Sequence, residues 1–312
     1  MPVYTVDKPL GLTSHDVVSQ CRKLLQTRKV GHAGTLDPLA TGVLVVLSEE
    51  ATKLSPFLTE SEKHYLAWVS FGAGTPTLDA EGPVETRADA THLTKEDLTA
   101  ALPPFLELTQ QLPPQYSAIK RGGVKGYEAA RKGESLELPP RSAGYRDIRL
   151  LEFASNRNNL PTHFSLVEDG TWAPNPNGVA FDLPPTLGDF PTALFYLQVQ
   201  AGTYVRAFAR DVGKALGVPA HLSGLVRTRA GTAGLEAAVS LENVPATEGR
   251  SLAEALPYPL VELSKEEVTR VRQGQRLSPT FSGRAGLVDE QGELVAVAEI
   301  ENDRMKLLRV WQ

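Results

Sequence analysis

The sequence predicts an α+β protein, with a large mixed domain over residues 1–250 and a small β-rich domain over residues 258–312. Helix-like and strand-like segments follow one another without the regular βαβ alternation of a parallel sheet. After Leu256-Pro257 the pattern changes to short apolar segments separated by turn residues. Because the chain has 312 residues, 41% of them hydrophobic, it is long enough to bury one large core and a second, smaller one.

The individual helices and strands are predicted from the spacing of apolar residues and from the positions of capping residues, glycines and prolines. Thr13-Ser14 offers an N-cap, and apolar residues then recur at helical spacing, which predicts a helix over 14–26. A glycine-rich loop over 31–42 precedes the apolar run 43–47, which predicts a buried strand. The other predicted helices lie at 51–58, 94–102, 126–133 and 204–216, and the other predicted strands at 63–72, 145–153, 194–200, 223–229, 286–288, 294–298 and 305–310.

Residues 154–193 differ in composition from their surroundings. Their 40 positions include six Pro, five Asn and three Gly. Such a segment is too often interrupted for regular elements, so we expect an irregular insertion that forms a long surface excursion.

The composition excludes membrane-spanning and disulfide-rich proteins. The longest apolar runs have five residues, as at 43–47, whereas a membrane span requires roughly 18 or more. The N-terminal residues show no basic patch followed by an apolar stretch, and Cys21 is the single cysteine. We therefore expect a cytoplasmic protein without membrane contact.

Charge is segregated along the chain, although the net charge is only −5. Residues 110–150 and 200–231 are each net +4, whereas 79–110 is net −5 and 151–199 is net −4. The basic segments fit two interpretations, ordinary solvated faces or a local track for nucleic-acid phosphates.

The most unusual segment is the glycine-rich loop over 31–42, which carries Asp37. Its glycine spacing matches neither nucleotide-binding fingerprint, and no Gly-Lys-Ser/Thr follows it. What remains is a carboxylate in a loop whose glycines let a ligand approach the backbone closely. The alternative is an ordinary turn, because Asp-Pro commonly begins one.

Other chemistries have little support. The six histidines are scattered without the spacing of metal ligands, no cofactor motif is present, and no Gly-x-Ser-x-Gly elbow occurs. Nucleophilic catalysis by an aspartate remains available. Arg206 lies near the start of the helix predicted over 204–216. If it faces Asp37 it would hold that carboxylate ionised and oriented; the alternative is a solvated arginine.

Five ordered blocks, taken together, resemble the TruB-type tRNA pseudouridine synthases. They are residues 8–14 with 16–18; 31–42; 63–65 followed by Asp79; 111–120 with 126–127 and 130–131; and 202–206 followed by 216–217, 220–222 and 225. The blocks cover residues 8–227. The resemblance implies a pseudouridine-synthase catalytic core with a mixed, largely antiparallel sheet flanked by helices. It also implies a PUA-like RNA-binding domain at the C-terminus.

The same resemblance implies an activity. The enzyme would isomerise the uridine at position 55 in the T-arm loop of tRNA, without metal or cofactor and as a monomer, with tRNA as its partner. Asp37 would be the nucleophile. Tyr65 would stack on the uracil, Arg206 would pair with Asp37, Leu225 would close the pocket, and His32 would fill the space left by the flipped nucleotide. Phosphate contacts are expected from residues of the basic segment, namely Lys120, Arg121, Lys125 and Arg131.

Two other functions remain open at this point. A non-catalytic tRNA-binding or folding protein could use the same surface, and it would bind RNA without Asp37. A phosphate-handling enzyme built on the glycine-rich loop is disfavoured, because the lysine of a P-loop is missing. The acidic balance of the 154–193 insertion indicates that it faces away from the RNA.

Overall fold

The computed structural model describes residues 2–117, 120–121, 124–125, 136, 138–278, 281–301 and 304–312. Its strands are β1 (Val3–Lys8), β2 (Val30–Ala33), β3 (Ala40–Ser48), β4 (Lys63–Phe71), β5 (Ala73–Gly74), β6 (Thr86–Arg87), β7 (Gln110–Gln111), β8 (Lys120–Arg121), β9 (Val124–Lys125), β10 (Arg141–Ser142), β11 (Tyr145–Ala154), β12 (His163–Leu166), β13 (Trp172–Pro174), β14 (Val179–Ala180), β15 (Thr192–Val199), β16 (Ala220–Ala230), β17 (Ala233–Gly234), β18 (Leu260–Glu262), β19 (Gly283–Val288), β20 (Leu294–Glu301) and β21 (Arg304–Val310). Its α-helices are α1 (Ser14–Leu24), α2 (Ser55–Thr59), α3 (Lys95–Ala101), α4 (Pro103–Leu106), α5 (Val205–Ala215), α6 (Leu252–Ala255) and α7 (Lys265–Arg272). Short 3₁₀ helices cover Glu49–Leu54, Arg157–Asn159, Leu235–Ala237 and Leu241–Ala246.

A mixed sheet forms the centre of the molecule. Among the described residues its strand order is β1-β3-β16-β4-β15-β11, with β2 added to β3 and β17 to β16. All pairs are antiparallel except β3 with β16, which run parallel. The predicted α+β class with a largely antiparallel sheet and flanking helices is confirmed.

Strand β4 shows how the sheet divides the core in two. Because successive side chains of a strand point to opposite faces, Tyr65 lies in the same apolar cluster as Phe208 of α5. Trp68 lies in the cluster on the other face, together with Phe164 of the insertion. Both faces of β4 are covered, which explains why its apolar residues do not alternate with polar ones.

Most predicted elements are present with boundaries shifted by a few residues. The helix expected at 51–58 is a 3₁₀ helix followed by α2. The segment Val30–Ala33, which the sequence placed in a loop, is strand β2, because it pairs with the buried strand β3. Strand β1 was not predicted. The helix predicted at 126–133 lies outside the described residues.

The prediction that residues 154–193 form an irregular surface excursion misses two features of this segment. The segment contains a 3₁₀ helix and the sheet β13-β12-β14. Phe164 and Trp172 are buried in the main core, and Phe164 meets Trp68 edge to face with ring centroids 5.7 Å apart. Composition suggested an excursion because Pro, Asn and Gly form its turns, whereas a few aromatic side chains supply its packing.

The C-terminal strands form the sheet β18-β19-β20-β21, as the predicted β-rich region requires. This sheet packs on the main core: Leu294, Val297 and Trp311 share a buried cluster with Leu256. The indole nitrogen of Trp311 donates to the Glu50 carbonyl at 3.3 Å. The division into domains at 250 and 258 stays a prediction. In the described part of the chain, no helix is long and apolar enough to cross a membrane.

We predict that Gly42→Ala destabilises the protein by roughly 2–4 kcal/mol, measured by urea unfolding. Gly42 has φ +91°, and a Cβ there would lie 2.3 Å from the Arg227 carbonyl oxygen, so the substitution adds a clash to backbone strain. Gly292→Ala is the control, because Gly292 has φ +79° with no atom near the added Cβ. Equal losses in the two variants would contradict a close approach at Gly42.

We also predict that Trp311→Ala lowers the free energy of unfolding of the whole chain by about 3–5 kcal/mol. Trp311→Phe keeps most of the ring but loses the N–H donor, and should cost less. Urea unfolding followed by circular dichroism would show one shifted transition. A separate early transition that leaves the main one unchanged would contradict a shared core.

Candidate active site

The loop that carries Asp37 is held on one side by the N-terminus of α1. Thr13 caps this helix in a capping box with Asp16. The Ser14 hydroxyl accepts from the Leu36 N–H at 2.8 Å and lies 3.1 Å from the Leu36 carbonyl oxygen, to which it donates. The Gly11 N–H donates to the Pro38 carbonyl at 2.9 Å. The residues on both sides of Asp37 are thus fixed by the chain just before α1.

Arg227 of β16 holds the same loop from the other side. Its guanidinium donates to the carbonyls of Gly34 at 3.0 Å, Thr35 at 3.4 Å and Val43 at 2.7 Å. The side chain is only 1% exposed. A buried arginine therefore joins the loop to the sheet, although sequence reasoning assigned no role to it.

The structure brings Asp37 and Arg206 together. Arg206 Nε lies 2.8 Å from Asp37 Oδ2, and Arg206 Nη2 donates to Asp37 Oδ1 at 3.2 Å. The Arg206 side chain is 8% exposed, whereas that of Asp37 is 34% exposed. The carboxylate is thus oriented by a buried cation while part of it stays open to a ligand.

Arg206 is itself fixed by further acceptors. It donates to the carbonyls of Thr77 at 3.1 Å and Tyr116 at 3.0 Å, and its Nη1 lies 3.6 Å from Asp79 Oδ2. Asp79 is buried and accepts from the Thr77 hydroxyl at 2.6 Å. Burial raises the pKa of Asp79, whereas Thr77 and Arg206 stabilise its ionised form. The acidic turn is therefore a support for Arg206, a role the sequence did not predict.

The helix that carries Arg206 is positioned by Gln111. The side chain of Tyr204, the N-cap residue of α5, makes no capping hydrogen bond. Instead, the buried Gln111 side chain accepts from the Tyr204 N–H at 3.0 Å and donates to the Tyr145 hydroxyl at 2.9 Å. A residue of the segment similar to the family's RNA-gripping insert thus contributes the cap for the helix that bears the arginine.

Asp37, Arg206 and Arg227 line a cavity of about 820 Å³. The five predicted site residues His32, Asp37, Tyr65, Arg206 and Leu225 all lie on its wall. The predicted RNA contacts fall outside the described side chains. Lys120, Arg121 and Lys125 lie in strands β8 and β9, but their side chains are outside the described residues, as is Arg131.

Tyr65 and Leu225 come from neighbouring strands, β4 and β16, and both are largely buried. His32 comes from β2, and its Nδ1 is buried without a hydrogen-bond partner among the described residues. Burial, and next the charge of Arg227, lower the pKa of His32 below its ordinary value. The ring is therefore neutral at neutral pH, which suits stacking contact.

Lys8 and Lys63 are two further buried cations near the loop. The Lys8 ammonium donates to the Leu12 carbonyl at 2.6 Å, and burial lowers its pKa to about 8. Both lysines occur in blocks that carry the family resemblance, so the motifs contained a signal for them.

In the described part of the chain, no three His, Cys, Asp or Glu residues form a group that could hold a metal ion.

Comparisons with known proteins agree with this geometry. Residues 22–171 match the TruB family pseudouridylate synthase (N terminal domain). The chain is 49% identical to "tRNA pseudouridine synthase B" of Deinococcus deserti, with 100% of both chains covered. It is 50% identical to the protein of the same name from Thermus thermophilus, over 100% of this chain and 99% of the relative.

A solved structure, "Crystal Structure of a Cbf5-Nop10-Gar1 Complex", has a chain with the same fold. The TM-score is 0.70 at 23% identity, and the match covers 100% of this chain and 85% of the other. With full-length relatives at about half identity, the chain belongs to the TruB family of pseudouridylate synthases.

Proposed function

We propose that this protein converts the uridine at position 55 in the T-arm loop of tRNA to pseudouridine, with Asp37 as the nucleophile acting on a flipped-out base. The observation that carries the proposal is the Asp37–Arg206 pair on the wall of a cavity that also presents Tyr65. The volume of about 820 Å³ lies within the range of small-molecule sites. The full-length relatives named for tRNA pseudouridine synthesis support tRNA as the substrate.

The reaction is an isomerisation that one carboxylate can promote. The bond between ribose C1′ and uracil N1 breaks, the uracil turns within the cavity, and a bond forms between C1′ and C5. The proton on C5 is lost and N1 gains one, so atoms and charge balance without an external reactant. Attack of Asp37 at C1′, its attack at C6 and a glycal route all require an ionised, oriented carboxylate.

The surroundings of Asp37 orient its carboxylate. The guanidinium of Arg206 contacts both oxygens and places a positive charge beside them. Asp79 and two backbone carbonyls hold the guanidinium in turn. The carboxylate therefore needs little reorganisation when a substrate enters.

The other wall residues take roles around the base. Tyr65 offers an aromatic surface for the uracil and a phenol oxygen that can accept the C5 proton. Leu225 on the neighbouring strand closes the pocket. The neutral ring of His32 fills the gap in the RNA loop and offsets part of the few kcal/mol that unstacking costs.

The basic segment over 110–150 belongs to the same proposal. Lys120, Arg121, Lys125 and Arg131 would contact tRNA phosphates, and the C-terminal sheet would add a second RNA-binding surface. We propose that the protein acts as a cytoplasmic monomer without metal or cofactor.

We predict that Asp37→Asn abolishes turnover, a loss of about 10³-fold or more, because the neutral isostere is not a nucleophile. Its tRNA affinity should stay within about tenfold, since phosphate contacts are unchanged. The measurement is tritium release from C5-labelled uridine in an unmodified tRNA transcript with EDTA present, and filter binding of the same RNA.

Asp89→Asn, at an exposed turn, is the matched control and should release tritium at the wild-type rate. A transcript with cytidine at position 55 tests the site of modification and should release no tritium from its remaining labelled uridines. Wild-type turnover by Asp37→Asn would contradict the nucleophile. Tight tRNA binding by the wild type without tritium release would favour the non-catalytic binding protein instead.

We predict that Arg206→Lys lowers kcat by roughly 100-fold, because an ammonium cannot replace the planar guanidinium at Asp37, Thr77 and Tyr116 together. Arg210→Lys is the control one turn along α5. Arg210 pairs with Asp211 and the Leu112 carbonyl, so this variant should turn over almost normally. Single-turnover tritium release separates kcat from binding, and equal rates for the two variants would contradict the role of the ion pair.

A further inference from the structure

Two cationic side chains on the cavity wall have no carboxylate partner among the residues that the structure describes. Lys63 begins β4 and Arg227 lies on β16, and their residues are 6% and 1% exposed. Both line the cavity. Among the described residues of its lining, Asp37 is the single acidic one. Asp37 is already engaged by Arg206. Within the described residues, neither Lys63 nor Arg227 forms an ion pair.

In the part of the chain that the structure describes, both side chains retain unused hydrogen-bond donors. The Lys63 ammonium donates to the carbonyls of Thr59 and Ser61, which leaves one of its three N–H groups. Arg227 donates to three carbonyls from three N–H groups of the five that a guanidinium has. With partners counted among the described residues alone, three charged donors therefore remain for a ligand at this end of the cavity.

The two cations are close together. A Cβ placed on Gly34 would lie 3.5 Å from Arg227 Nη1 and 3.7 Å from Lys63 Cε, so both side chains flank the same glycine. Burial, and next the charge of Arg227, lower the pKa of Lys63 to about 8. Like charges that share a buried site destabilise one another, and an anion bound between them would relieve this cost.

A buried cation that donates to backbone carbonyls does not by itself indicate a ligand-binding site. Arg157 is also buried and donates to the carbonyls of Ser223 and Pro184, but it does not line the cavity and holds the insertion against the sheet. Lys63 and Arg227 differ because they adjoin each other, face an open volume and lack an acidic counterpart within the described ranges.

We propose that Lys63 and Arg227 form a phosphate subsite, which binds a backbone phosphate adjacent to the flipped nucleotide. The inference rests on the proposed function, because RNA is the ligand that brings a phosphodiester into this cavity together with a base. The subsite would lie beside the glycine-rich loop, and Asp37 and Arg206 would contact the sugar and base. Binding one phosphate there would fix the register of the nucleotide relative to the carboxylate.

The test is the affinity of a T-arm stem-loop RNA between 50 and 200 mM salt, with every protein carrying Asp37→Asn to prevent turnover. Lys63→Met should weaken binding about tenfold at the upper salt concentration and reduce the slope of log K against log salt by about 0.7–0.9, the value for one phosphate contact. Lys63→Arg should keep the slope. Lys95→Met, at the exposed start of α3, is the matched control and should behave as the parent.

Neutral methylphosphonates placed singly on either side of the target uridine identify the phosphate. One of them should weaken binding by the parent protein and have no further effect on Lys63→Met, whereas a methylphosphonate in the stem should affect both proteins equally. Parent binding that is indifferent to both positions would overturn the subsite, even if Lys63→Met failed to fold. The subsite would also be overturned if a methylphosphonate beside the target uridine reduced the RNA affinity of Lys63→Met and of the parent protein equally.

Failure of the subsite and failure of the proposed function give different results. Tritium release by the wild type with unchanged salt slopes in Lys63→Met would remove the subsite and leave the enzyme activity intact. Absence of tritium release by the wild type would remove the proposed function, and with it the nucleotide that the subsite is inferred to position.

Discussion

The ion pair between Asp37 and Arg206 imposes the constraint on which the rest of the site depends. A guanidinium that is 8% exposed is costly unless its charge is paired and its N–H groups have acceptors. Asp37 and Asp79 supply the opposite charges. Nη1 and Nη2 donate to Asp37 and to the carbonyls of Thr77 and Tyr116, while Nε lies close to Asp37 Oδ2 without a hydrogen bond in the described part of the chain. Because these groups come from separate parts of the chain, satisfying one side chain requires the loop, the acidic turn and α5 to converge. Such a network specifies geometry more than it adds stability.

The sheet supplies the rigid frame for that convergence. β16 lies between β3 and β4, which places Leu225 beside Ala67 and Ala40 and brings Arg227 under the Asp37 loop. Gly42 allows the close approach, since any side chain there would meet the Arg227 backbone. A site built on neighbouring strands of a covered sheet is held more firmly than one built on loops alone.

The two faces of the sheet have different tasks. The face of Tyr65 and α5 carries the cavity, whereas the face of Trp68 is covered by the 154–193 segment through Phe164 and Trp172. No described residue of that segment lines the cavity. The insertion therefore acts by closing the core behind the site.

The sequence by itself determined the α+β class, most helices and strands, the family, and the five wall residues from His32 to Leu225. Hydrophobic periodicity, capping residues and the order of motifs depend on residues that are close together in the sequence, so they can be recognised without the tertiary structure. Only the tertiary structure decided that Gln111 caps α5, that Asp79 supports Arg206, and that Lys63 and Arg227 meet at Gly34. These contacts join residues tens to nearly two hundred positions apart. A polar residue in a sequence looks the same whether solvent or a buried carbonyl satisfies it, because the choice depends on which strands become neighbours.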